Sequence, residues 1–148
     1  MKRLQRLFED LDLVTQPSMK VRLIKDYLEQ TPKEDLAWVL YFFQKRRLST
    51  RATPALLKSL VKDMTCWPAD WIEKSHEQVK DLPETLALLL PHQEGSCELS
   101  LSNVVIQFLK PLAHFSPHAR RETIRCAWRI MNTPQRVLFN KMLLGHLR

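Results

Sequence analysis

The sequence predicts an all-α fold, a single compact domain of about eight or nine helices in two halves, on three observations. Apolar residues recur three and four apart along most of the chain. Four Thr-Pro or Ser-Pro pairs, Thr31-Pro32, Thr53-Pro54, Ser116-Pro117 and Thr133-Pro134, each precede such a pattern, a recurrence hard to reconcile with a sheet. The composition, 45% apolar and 26% charged, is that of a chain that folds around its own core.

Taken in order, Leu4, Leu7, Phe8 and Leu11 share one face and predict an amphipathic helix over 2–13. Val21, Ile24, Tyr27 and Leu28 predict a second over 18–30. Thr31, Pro32 and Glu34 form a capping box in which threonine accepts, proline fixes φ and Glu34 reaches back, so a third helix runs from Pro32 to about Gln44. Helices over 68–79, 83–90 and 102–113 follow, with Pro111 kinking or ending the last. Polar residues around Gly95 make His92–Ser100 an exposed loop and the seam between the halves. In the last segment Val137, Leu138, Met142 and Leu143 face the core, and Arg136, Asn140, Lys141 and Arg148 remain outside. Gly145 then ends the helix in a left-handed turn, free to let backbone approach a sugar-phosphate chain.

Catalytic chemistry is hard to write here. The two glycines, Gly95 and Gly145, preclude a GxxxxGK[ST] or GxGxxG phosphate cradle, and KxDG, HExxH and GxSxG are missing. His114 and His118 are four apart, but Ser116-Pro117 breaks the helix that would align them on a metal. Cys66, Cys97 and Cys126 are odd in number and contain no CxxC, so they read as reduced, mostly structural thiols. Cys126, within a helix that carries Trp128, is expected to be packed rather than to act as a nucleophile with His118. No metal or cofactor site is expected, and no apolar run approaches the roughly 20 residues that span a bilayer, so a cytoplasmic location is expected.

The charge points to a partner. Residues 1–98 hold 15 basic and 15 acidic side chains, whereas 99–148 hold 8 and 1 and carry the whole net charge of +7. A polyanion is the natural complement of that asymmetry. Arg121, Arg125 and Arg129, four apart, form a stripe beside Arg120, with Ile124, Trp128 and Met131 on the core face and Glu122 as the one offsetting charge nearby. Guanidinium groups so placed suit phosphates, although a solvated basic face would look the same. Lys45, Arg46, Arg47 and Arg51 form a second cluster, equally explained by the dipole of the helix they follow. Trp38, Trp67, Trp71 and Trp128 lie in apolar patterns as core or core margin, leaving no ladder for unpaired bases, so duplex is favoured over single strand.

Specific strings carry a resemblance. Glu34-Asp35-Leu36-Ala37-Trp38-Val39-Leu40-Tyr41-Phe42 before Lys45-Arg46-Arg47, Lys80-Asp81-Leu82-Pro83-Glu84-Thr85 before Leu86 to Leu90, and Arg136-Val137-Leu138-Phe139-Asn140-Lys141-Met142-Leu143-Leu144-Gly145 occur in this order. Over about Leu7 to Arg148 the chain resembles the amino-terminal DNA-binding domain of bacterial ATP-dependent DNA ligases. The resemblance implies a helical clamp that holds nicked duplex through its minor groove, in repair or replication, for adenylation and OB domains that bring the catalytic lysine, ATP and magnesium. Those two domains, and a final helix or two, are expected to be missing from this chain. It also implies a backbone-contacting loop at Lys80 and Asp81 and groove contacts at Lys141, Gly145, His146 and Arg148. The chain departs from the family in having lysine at Lys80 and histidine at His146, where glycine, or glycine or lysine, is common.

The expected function is therefore sequence-independent binding of nicked duplex DNA by a non-catalytic, monomeric domain associated with the bacterial nucleoid. The expected contacts are Lys45, Arg46, Arg47, Arg51, Lys80, Asp81, Arg121, Arg125, Arg136, Asn140, Lys141, Gly145, His146 and Arg148. The alternative is a helical adaptor whose basic third docks an acidic protein. The two differ in whether the arginine stripe and the Lys80 loop form one concave surface or scattered patches.

Overall fold

Helices begin where side chains can occupy the first free N–H groups. In the computed structural model, which describes residues 1–44 and 46–145, Thr53 and Ser116 accept from the backbone N–H of Leu56 and Ala119 at 3.1 and 3.2 Å. With proline in the first turn, these caps start α4 (Pro54–Thr65) and α8 (Pro117–Ile130). The other two starts differ from expectation. The Thr31 hydroxyl turns back to donate to the Tyr27 carbonyl at 2.5 Å, closing α2 (Pro17–Gln30). Only Thr31 and Pro32 separate α2 from α3 (Lys33–Phe43), and α3 starts without a side-chain cap. At the last helix the cap is Asn132, in a reciprocal box with Gln135, and Thr133 is already the first residue of α9 (Thr133–Leu144).

The remaining elements are α1 (Lys2–Leu13), α5 (Ala69–Val79), α6 (Leu82–Leu89) and α7 (Leu101–Val104). The segment expected as one helix over 102–113 changes pitch twice. After α7 comes a π-helical turn, Val105–Leu109, and then a 3-10 turn, Lys110–His114, where Pro111 removes an N–H donor. The change of period lets Val104, Val105, Leu109 and Leu112 all face inward, fully buried. No strand occurs among the described residues, and none of their helices is long and apolar enough to cross a membrane.

One core runs through both halves. α6 lies along α9, α4 packs on both α6 and α8, and Trp128, Phe42, Phe139, Leu60, Leu86 and Leu109 meet inside. The loop over 92–100 is present, with Gly95 at φ +84°, but it is fastened. The Gln135 side chain accepts from the Cys97 N–H at 2.8 Å and donates to the Cys97 carbonyl at 3.2 Å.

Several expectations about burial are corrected. Cys126 is exposed, because its position on α8 faces away from the side that carries Ile124, Ala127 and Trp128, and Cys66 is exposed as well. Only Cys97 of the three thiols is buried. Trp71 is 54% exposed and stacks beside half-buried Trp67 with ring centroids 5.4 Å apart.

Candidate nucleic-acid interface at the end of α9

The carboxy-terminal turn of α9 gathers features that are far apart in sequence. Gly145 ends the helix at φ +74°. A Cβ there would stand 2.7 Å from Arg47 Cδ and 2.8 Å from Arg47 Cγ. The close approach that this glycine permits is thus to the stem of Arg47. The loop bearing Arg47 is pinned at three points. The Tyr41 hydroxyl donates to the Arg47 carbonyl at 3.2 Å, the Arg46 guanidinium lies 5.8 Å from the Tyr41 ring centre, and the Thr50 hydroxyl donates to the Leu143 carbonyl at 3.0 Å. Read along the sequence, the Arg46, Arg47 and Arg51 cluster belongs to the end of α3. In space it also serves the end of α9, where cations oppose the negative pole of the helix. Arg46, Arg47 and Arg51 are exposed.

Lys80 and Asp81 join the same neighbourhood. Asp81 caps α6 by accepting from the Glu84 N–H at 3.2 Å, and its other carboxylate oxygen is 4.0 Å from the Lys141 ammonium. Lys141 precedes Gly145 by one helical turn. Lys80 is the left-handed cap of α5, at φ +61°, a conformation that glycine adopts without strain. Lys80→Gly is expected to stabilise the domain by about 1 kcal/mol, since a side chain in that conformation costs roughly this much. A higher urea midpoint at unchanged slope is the check, and a lower midpoint would contradict it.

The other expected contacts are placed elsewhere. Arg121 is ion-paired to Asp63 of α4 and donates to the Ser59 hydroxyl at 3.3 Å, and Arg125 pairs with Glu122 at 3.0 Å. Two members of the stripe are therefore partly neutralised, one by a residue 58 positions away. Arg136 and Asn140 do not remain outside. Asn140 is 0% exposed, accepting from Trp128 Nε1 at 2.8 Å and donating to the Pro83 carbonyl at 3.1 Å. Arg136 is 3% exposed and donates through Nε to the Trp128 carbonyl at 2.8 Å and through a terminal nitrogen to the Pro91 carbonyl at 2.6 Å. Burial pulls the Arg136 pKa below its ordinary value. Both side chains are polar, so periodicity assigned them to solvent, but α9 is packed along α6 and its polar side chains reach across to Trp128 of α8 as well as to Pro83 of α6.

Lys45, His146 and Arg148 lie outside the described residues. Sequence reading missed Thr50, which is buried and fixes the cationic loop on α9, and Asp63, which quenches Arg121. Neither carried a local signal, because each acts through a partner remote in sequence. Among the described residues no cluster of three or more His, Cys, Asp or Glu is placed to hold a metal ion.

No curated protein was found to match the chain. The family model described as DNA ligase N terminus matches residues 1–148. With that match over its whole length and an all-helical architecture, the chain belongs to the DNA ligase amino-terminal domain family.

Proposed function

We propose that this domain holds duplex DNA, nicked in its working substrate, by its sugar-phosphate backbone and minor groove across the surface at the end of α9. It would position the nick for the adenylation and OB domains of an ATP-dependent ligase. The observation that carries the reading is convergence. The loop that bears Arg46 and Arg47 is bonded to Leu143 and packed on Gly145, and the α5–α6 turn that bears Lys80 is tied through Asp81 to Lys141, so these segments come together around one helix end, although up to 95 residues separate their cations in sequence. Cations of this kind contact phosphates without reading bases, so affinity is independent of sequence. In this reading the domain contributes binding and orientation, while ATP and magnesium belong to the catalytic domains, acting in repair or replication in the bacterial cytoplasm.

Fluorescence anisotropy with labelled nicked and intact duplexes tests it. The double variant Arg46→Ala, Lys141→Ala is expected to weaken binding about tenfold or more, equally on unrelated sequences. Losses confined to particular sequences, or an affinity unmoved by raising the salt, would rule out backbone holding.

A further inference from the structure

A concave site lies away from the end of α9, where the carboxy-terminal part of α4 and the segment after α6 meet α8 and the first turn of α9. It is a cleft of about 400 Å³, within the range of roughly 300–1,000 Å³ typical of small-ligand pockets. Three guanidinium groups line it, Arg125, Arg129 and Arg136, together with His92, Gln93 and Asp63. Asp63 is already engaged by Arg121, and Glu122 offsets Arg125 through one terminal nitrogen at 3.0 Å, whereas Arg129 and Arg136 have no acidic partner among the described residues.

The hydrogen-bond inventory of these arginines points to a missing acceptor. The Nε of Arg125 is buried and has no partner among the described residues, the single such side-chain atom found there. A buried donor left unsatisfied costs about 1–3 kcal/mol, so native structures seldom leave one without reason. Arg136 is held at Nε and one terminal nitrogen by two carbonyls, and its second terminal nitrogen makes no hydrogen bond among the described residues. Arg129 is exposed and has no acidic partner among the described residues. Forked donors on rigid elements, with two of three guanidinium groups lacking an acidic partner among the described residues, match a tetrahedral oxyanion better than a carbonyl or an apolar group.

We propose that this cleft is a phosphate-binding site, with Arg125, Arg129 and Arg136 as its donors. The proposal does not rest on duplex binding at the end of α9. A backbone phosphate of nucleic acid and the phosphate of a free small molecule share the recognised chemistry, and the test separates them.

The test is two-dimensional NMR of the arginine Nε–H groups during titration with inorganic phosphate at constant ionic strength, chloride serving as the balancing anion. Saturable shifts of the Arg125 and Arg136 signals are expected, and Arg129→Gln should weaken phosphate binding at least fivefold while the backbone amide spectrum stays folded. Linear, non-saturating shifts, or the same curve in Arg129→Gln, would overturn the proposal. A nicked duplex is then added to the phosphate-loaded protein. Displacement of phosphate assigns the site to a nucleic-acid phosphate, and duplex binding that leaves the phosphate signals in place assigns it to a free phosphate compound. The Lys141→Ala variant keeps the two readings apart, since duplex binding unchanged in it overturns the reading at the end of α9 alone, and non-saturating phosphate shifts in the unaltered protein overturn the cleft alone.

Discussion

Asn140→Ala is expected to destabilise the domain by about 3 kcal/mol, because two buried partners lose their hydrogen bonds at once. The Trp128 indole N–H and the Pro83 carbonyl each meet this one side chain, at 2.8 and 3.1 Å, and the indole N–H has no other partner among the described residues. The orphaned indole N–H costs about 1–3 kcal/mol, and the lost bond to the Pro83 carbonyl of α6 and the void left by the amide add to that. For a chain of 148 residues the loss corresponds to a fall in Tm of roughly 10 °C. Asn140→Asp should be no better, since a carboxylate keeps the bond from Trp128 but faces the Pro83 carbonyl with a second acceptor and carries a buried charge. Denaturant unfolding decides the matter sharply. A solvent-facing asparagine, as periodicity alone predicts, would change stability by less than about 0.5 kcal/mol.

Arg136→Met is expected to have a comparable effect, about 3 kcal/mol, for a different reason. The substitution keeps much of the apolar volume of the stem but strips donors from the carbonyls of Trp128 and Pro91, at 2.8 and 2.6 Å. Those carbonyls belong to α8 and to the segment after α6, so the guanidinium fastens two separate pieces of chain to α9. Lysine should rescue little, because a single ammonium on a flexible stem does not reproduce a planar fork with two directed bonds. The check is the urea midpoint of both variants. A midpoint close to that of the unaltered protein would show that Arg136 is the exposed contact suggested by its charge.

The fold was largely legible because its signals are local. Thr53-Pro54 and Ser116-Pro117 start helices with the expected cap bonds, Pro111 falls in the 3-10 turn that closes its segment, and Gly145 takes the left-handed cap conformation. The failures share one cause. Thr31 has the residue type of an amino-terminal cap, yet the short link between α2 and α3 leaves its hydroxyl to the preceding turn. Arg136 and Asn140 are polar and were assigned to water, but a helix packed on two sides has no face left for them. Cys126 was assigned to the interior from its neighbours in sequence rather than from its angle around α8. For the candidate surface, the sequence named Arg46, Arg47, Arg51, Lys80, Asp81, Lys141 and Gly145 one by one, from charge and from the family resemblance. It could not place the first three beside the last two, because that adjacency is created by the Thr50 bond to Leu143 and by Arg47 lying on Gly145.

The hydroxyl of Thr50 and the carbonyl of Leu143 are 93 residues apart, which sets when the surface can come into being. Contacts that close such a span repay the lost chain entropy only after the intervening chain is ordered, so they belong to the late part of folding. On the ribosome, α3 and its cationic loop emerge long before α9 is synthesised, and until then the Thr50 hydroxyl has no α9 carbonyl to grip, whatever Tyr41 already holds. The loop cations and Lys141 share one neighbourhood only when α9 docks. Docking of that helix and acquisition of the face are thus one event.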